Sequence, residues 1–497
     1  MHVFVEGACP WLDEHLKSYI KRHVPDATFV DDAEDLPRSA DATVLQVCDG
    51  QTLNRRFAIL NTANGLINAY PNSDAVARKD YLSQVVEYWT AKRPDSILKD
   101  HVPMTVRLSL DYAEYVDDAL AAADDLTLLY TLEENAGKPA SERDWWILKP
   151  ALVDSGSGIR LFSTIEELAS HLELAEYETD DEDSEALSVI EEEQSEGAEV
   201  AAKPSCSLHP DMDAGDADDD KGFMFSPSLS TPGLDGLDVL VTATGGLSLD
   251  GKKNNGKAPK PQYVFKENGR IPSAQMREFV AQRYIVSVPP VEKRKWHIRT
   301  YVLSMGRLKV HVYREMLALL AGEDYEPPWK NPSLKSSLTN TALQDEEDFV
   351  GKESMRDFWN IADDLLPGGG DWKNDVFDQI CGISAELFRA AAHTMADKFT
   401  TLDKCFELYA LDFLVDTEGS AWLLEVNETP AFYQQGVAGP LSLRLMESVV
   451  CAAVEHLGKA KLDDPQTKAV RERMVQVLDE TENLARSNIT EIMSENF

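Results

Sequence analysis

Cysteine is scarce and scattered. The six in 497 residues, Cys9, Cys48, Cys206, Cys381, Cys405 and Cys451, show no CxxC spacing. That fits neither a disulfide framework nor a thiolate metal site and points to a reducing compartment, the cytoplasm. No run of about 18 apolar residues, the length a membrane span requires, occurs anywhere. The opening MHVFVEGACPWLDEHLKSY breaks its short apolar run early with charge, so the chain reads as neither secreted nor membrane-embedded. Positive charge is also short. With 48 basic against 87 acidic side chains the formal charge is -39, which excludes a general affinity for nucleic acid or anionic lipid. An anionic substrate must therefore meet a local basic site. No internal repeat is visible.

Aromatic residues thin out from about Glu173, where YETDDEDSEALSVIEEEQSEG, DMDAGDADDD and a Gly, Ser, Lys and Pro stretch follow. Such composition cannot bury enough apolar surface to offset its ordering entropy, so residues 177–260 are expected to be a disordered acidic insertion. Strand-like runs resume beyond it in YVFKE and RYIVSV. Before it, HVFVE, an amphipathic stretch and ATVLQV suggest a small N-terminal α/β domain over 1–92. After it, helical patterns at 384–399 and 444–460 precede a charged stretch over 463–497, expected to be a surface helix or tail.

Three patterns carry chemistry. In FELYALDFLVDTEGSAWLLEVNETP two apolar runs flank a turn at Glu418-Gly419. That turn sets Asp412 across from Glu425, with Asn427 on the same face two residues on. Facing carboxylates repel without a cation, so Mg²⁺ between them is the physical resolution; a turn cap at Asp412 and a solvated edge at Glu425 are the alternative. In KRKWHIRTYVLSMGRLKVHVYREM a turn at Met305-Gly306 places Lys295, His297 and Arg299 on one face, with Arg314 across from His297. Guanidinium forks suit phosphate or carboxylate, although a solvated basic face and a packed histidine explain the same residues. Third, Lys149 ends the apolar run WWILK just before DSGSGI. A lysine there must reach an anion or snorkel out, and backbone amides from Ser155 through Gly156 to Gly158 can cover phosphates, or form a plain turn.

Taken together, WILKP with its Gly-containing loop, QRYI, KWHIRTYVL, VYRE, SLTNTALQ, ELYALDFLVD and WLLEVNETP resemble, in identity and order, the tubulin-tyrosine ligase family. ARKDYL at 77–82 is similar to that family's early lysine motif, and the wording is nearest the ligase domain of fungal P-body-associated proteins. Those proteins also carry a SurE-like phosphatase domain, for which this chain leaves no room. Unlike the animal enzymes, the chain has His297 where they have Asp and Val286 where they have Glu. The resemblance implies an α+β ATP-grasp fold, its central subdomain over 93–176 and the remainder over 261–462. It implies ATP and Mg²⁺, with Lys79, Lys149, Ser155, Gly156, Gly158, Gln282, Ile285, Lys295, His297 and Asn340 at the nucleotide. Asp412, Glu425 and Asn427 are implied at the metal, and Arg299 and Arg314 as catalytic residues. The implied reaction joins a free amino acid, tyrosine first, to an acidic protein tail such as that of tubulin through an acyl-phosphate. Side-chain glutamylation or glycylation, and a non-catalytic module associated with mRNA-decay bodies, are the alternatives.

Overall fold

The computed structural model describes residues 1–7, 10–39, 41–48, 64–110, 115–152, 158–173, 277–331, 333–339, 354–366, 371–459 and 465–486. The insertion expected at 177–260 lies outside them, as do Ser155, Gly156 and Asn340. Among the described residues no helix is long and apolar enough to cross a membrane, and Cys48, Cys381, Cys405 and Cys451 are free thiols.

Helices and three sheets make an α+β architecture. The first sheet is parallel, in the order β2-β1-β3-β4, with β1 His2–Glu6, β2 Thr28–Val30, β3 Thr43–Cys48 and β4 Asn64–Ile67. Helix α1, Pro10–His23, buries Leu12, Leu16 and Ile20, whose spacing puts them on one face. Helix α2, Lys79–Lys92, packs against the long helix α3, Trp372–Thr394, and its Leu82, Val85 and Trp89 share a core with Phe4, Val44 and Ile67 of the first sheet.

The second sheet is antiparallel, in the order β5-β8-β6-β7: β5 Thr105–Ser109, β6 Trp146–Pro150, β7 Arg160–Phe162 and β8 Glu278–Arg283. Alternation sorts its side chains. Trp146, Leu148, Phe279 and Ala281 enter a core with Leu128, Leu132 and Leu168, so Ile147, Lys149 and Gln282 are left for the opposite face.

The third sheet is built on one long strand, β9 Arg294–Met305. One edge pairs with β13 Phe406–Val415 and, through it, β14 Ala421–Asn427; the other is shared by β10 Lys309–Tyr313 and β11 Leu317–Asp324. Strand β12, Met355–Asp357, continues from β11. The expected charged tail departs from expectation: Met474–Asp479 forms a strand, β15, antiparallel to β10, with Leu478 buried. Trp296, Ile298 and Val302 of β9 pack in the core that holds α3. Tyr301, Leu303 and Met305 pack in the core that holds helix α4, Ala438–His456. Lys295 and His297 continue that second face toward the second sheet, where a cleft opens.

Candidate active site

The cleft holds about 610 Å³ of space between the second and third sheets. Ile147, Lys149 and Gln282 line it from one side, Lys295, His297, Asp412 and Glu425 from the other. Asp412 does pair with Glu425. That register comes from two compensating departures from the simple hairpin. The turn is longer than two residues, so Val415 faces Ala421, Leu414 faces Trp422 and Phe413 faces Leu423. A bulge at Leu424 then restores the opposition of the two acids. Asp416 holds the turn by accepting from the N–H groups of Glu418 and Ser420, both at 2.9 Å, and Gly419 takes the positive φ of +85° that favours glycine.

Arg299 donates to both Asp412 oxygens, at 2.9 and 2.8 Å, and His297 Nε2 lies 3.6 Å from Oδ1. Burial opposes ionisation of Asp412, but Arg299 and His297 outweigh it and hold the carboxyl well below the usual carboxylate range. The other ring nitrogen of His297 is hydrogen-bonded to Thr339. Lys79, at the start of α2, has its Nζ 3.9 Å from Glu425 Oε2. Its backbone N–H donates to Ala151 O at 3.3 Å, tying α2 to the end of β6.

Two further lysines are buried and donate to neutral oxygens: Lys149 to Gln282 Oε1 at 2.9 Å, Lys295 to the Ile285 carbonyl at 3.2 Å. Burial lowers Lys149 to about 8, with Glu425 opposing and Lys79 adding to the effect. Burial and the charge of Lys149 push Lys295 well down. An anion between these like charges would relieve both, so the residues fit a polyphosphate. They also fit Mg²⁺. Among the described residues no group of three or more His, Cys, Asp or Glu is poised for a metal. Two carboxylates and an amide are nevertheless what Mg²⁺ takes when substrate phosphates complete its shell. Asn427 lies farther along β14 opposite Ala410, its Nδ2 3.4 Å from that residue's carbonyl. Gly158 has φ +70° just before Ile159, which lines the cleft.

Arg314 does not join them. The loop Gly306–Leu308 is one residue longer than expected and pairs Met305 with Lys309; farther back β11 replaces β10, so His297 faces Leu319. Arg314 falls in the β10–β11 connection, where it donates to Asn374 Oδ1 at 2.8 Å and lies over the rings of Trp359 and Phe377. None of these lines the cleft. The motif reading also missed residues that do. Tyr284 sits under Lys295 Nζ, 3.7 Å from its ring centre, and donates to the Ser337 carbonyl. Thr339, Ile159 and Leu424 also line it, as does Ile285, which was expected there. Tyr284 and Thr339 stand inside the stretches QRYI and SLTNTALQ, but nothing in their residue type singles them out.

The chain is similar to known proteins. A probable tubulin–tyrosine ligase of Schizosaccharomyces pombe is 35% identical over 82% of this chain and 83% of its own length. The probable tubulin–tyrosine ligase PBY1 of Saccharomyces cerevisiae is 31% identical over 75% of this chain, which spans 40% of that longer protein. In structure, the chain is similar to the C-terminal domain of K. lactis Pby1, described as an ATP-grasp enzyme interacting with the mRNA decapping enzyme Dcp2. The TM-score is 0.57, with 22% identity, over 96% of this chain and 99% of that one. Residues 57–193 and 252–461 match the tubulin-tyrosine ligase family, and the chain, with its ATP-grasp fold, belongs to that family.

Proposed function

We propose that the chain is an ATP-dependent carboxylate–amine ligase of the cytoplasm that joins an amino acid, tyrosine being the first candidate, to an acidic protein tail such as the C-terminus of tubulin. The observation that carries this reading is the cleft itself, where Lys149 on one sheet faces Lys295 and the Asp412–Glu425 pair on the other. Lys79, Lys149 and Lys295 neutralise phosphates, and the apolar wall of Ile147, Ile159, Ile285 and Leu414 excludes water on the base side. Asp412, Glu425 and Asn427 would hold Mg²⁺, which neutralises charge on the transferring phosphate. The acceptor carboxylate attacks the γ-phosphorus as the bond to the bridging oxygen breaks and ADP leaves, and the amine then displaces phosphate from the acyl-phosphate, losing a proton as the amide forms. Positioning and charge neutralisation do most of the work. Arg299, anchored on Asp412, orients the carboxylate end.

Purified protein incubated with ATP, Mg²⁺, mixed amino acids and acidic-tail peptides should yield a peptide heavier by one residue, read by mass spectrometry. A mass increase on an internal glutamate side chain would convert the assignment to a glutamylase or glycylase. A second reading has its own support: both Asp412 oxygens are engaged by Arg299, and the K. lactis neighbour is described as interacting with Dcp2. Nucleotide binding without turnover, together with capture of a decapping protein, would favour a non-catalytic module in mRNA decay.

A further inference from the structure

A second cavity, of about 800 Å³, lies between the first and third sheets, walled by Leu16 of α1, Leu45 and Val47 of β3, and Met446 and Val450 of α4. At one end Glu407 of β13 and Glu428, the residue after β14, reach the lining. Ser73 stands between these two carboxyls, its Oγ 3.2 Å from Glu407 Oε1 and 2.9 Å from Glu428 Oε2. Ser73 is at the N-cap of the short helix Asp74–Ala77, yet its hydroxyl caps nothing. A serine there ordinarily accepts from a backbone N–H of the first turn. Here the fully buried side chain is turned to the two acids instead.

A hydroxyl has one proton to give, so Ser73 cannot donate to both acids at once and a second proton must sit on one of them. Glu407 is buried where Glu428 is only half-buried, and its Oε2 already accepts from the Tyr70 N–H at 3.1 Å and the Tyr409 hydroxyl at 2.8 Å. A proton on Glu407 Oε1 completes a directed chain in which Glu407 donates to Ser73 and Ser73 to Glu428. Burial accordingly pushes Glu407 up to about 8, with Glu428 adding to the effect and the bonds from Tyr70, Tyr409 and Ser73 opposing it. The other titratable groups facing it are Tyr70, Cys405 and Tyr409, all raised by burial, so none of them changes charge near that pH. Cys48 shares the cavity lining, its Sγ accepting from Gln46 Nε2 at 3.2 Å.

The chain joins three elements that furnish the nucleotide cleft. Glu407 lies on the strand that carries Asp412, and Glu428 directly follows Asn427. Ser73 opens the turn that leads, through Asp74–Ala77 and Arg78, to Lys79 at the start of α2, whose Nζ is 3.9 Å from Glu425 Oε2. The Ala75 N–H, donating to the Lys398 carbonyl at 2.9 Å, ties that turn to the loop after α3. The Ser73 link ties it to the strands that bear the acids.

We propose that Ser73 and Glu407 are positioning residues, a proton-carrying link that sets Lys79 against the Asp412–Glu425 pair. The link rests on the ligase reading for its purpose but not for the placing of Lys79. Acetylation of the full chain without nucleotide, read at Lys79 by peptide mass spectrometry against Lys17 of α1 as internal reference, tests it. Ser73→Ala should speed acetylation of Lys79 about 2- to 10-fold, the worth of one hydrogen bond, and weaken Mg-ATP binding by a similar factor. Glu407→Gln puts an amide where the protonated carboxyl stood: its oxygen accepts from Tyr70 and Tyr409 and its NH₂ donates to Ser73. That variant should match the wild type at neutral pH. Above about pH 8 the wild type loses the Glu407 proton, two carboxylates then share one hydroxyl, and Lys79 should react as fast as in Ser73→Ala, while Glu407→Gln keeps its slow rate. The ratio of wild type to Glu407→Gln at each pH cancels the reagent's own pH dependence. A folded Ser73→Ala with a lowered thermal midpoint and an unchanged Lys79 rate, the result of a merely structural pair, would overturn the proposal. So would superimposable pH profiles of wild type and Glu407→Gln, which decide the matter even if Ser73→Ala does not fold. The expected Lys79 rates without any ATP-dependent ligation by the wild type would uphold the link and sink the ligase reading; ligation by the wild type with Lys79 indifferent to both substitutions would do the reverse.

Discussion

The two cavities bear opposite chemistry. The cleft between the second and third sheets gathers Lys149 and Lys295, with Lys79 and Arg299 at its acids, whereas the cavity beside the first sheet has Glu407 and Glu428 and, among the described residues, no lysine or arginine in its lining. In a chain of net charge -39, total charge therefore says nothing about which ligand a site will take. What decides is which side chains are gathered at each cavity. The cation-rich cleft suits an anion, and the end of β14 lies between the two cavities, with Glu425 lining one and Glu428 the other.

Substitutions on each side can break this contrast. Glu425→Gln should reduce Mg²⁺-dependent ATP turnover to background with an unchanged melting temperature, because shape survives and one charge facing the metal is lost; full turnover would remove Glu425 from the site. Arg299→Ala strands the buried Asp412 carboxylate and should cost about 3–5 kcal/mol in denaturant unfolding, the usual loss on breaking a buried pair. Lys149→Met should weaken nucleotide binding by about 10- to 100-fold, the worth of a charge-assisted hydrogen bond, while leaving stability intact, since it removes a desolvated cation. The same lysine sets a pH dependence. It must be charged to hold phosphate and burial lowers it to about 8. Nucleotide affinity should thus be level below that pH and fall by at most about tenfold per unit above it, with the fall missing from the methionine variant. Arg314→Lys should leave turnover unchanged within about twofold and cost only about 1 kcal/mol of stability, from the lost stacking on Trp359 and the bond to Asn374.

The β13–β14 site was legible because alternation fixes which face each residue takes, and the facing acids Asp412 and Glu425 stand out against apolar neighbours. The turn length was not legible, and the pairing was recovered only because the bulge at Leu424 offset the longer turn. No such offset rescued Arg314. Pairing extended from the β9–β10 turn assumes one partner strand, and β9 exchanges β10 for β11 halfway along. β15 was hidden because its short run MVQVLD sits in a charged stretch, so only pairing with β10 makes it a strand. The acidic cavity had no local signal at all. Ser73 and Glu407 are 334 residues apart, and nothing in either neighbourhood announces the other.

The buried lysines of the nucleotide cleft have a bearing on how long the protein lasts. A chain that folds around Lys149 and Lys295 with only neutral oxygens as partners is least secure when empty. A ligand that binds only the folded form adds about 2.7 kcal/mol when present at a hundred times its dissociation constant. If the cleft takes nucleotide as proposed, its supply would set the fraction of molecules open to proteolysis, and a well-fed cell would keep more of this protein than a starved one at the same rate of synthesis.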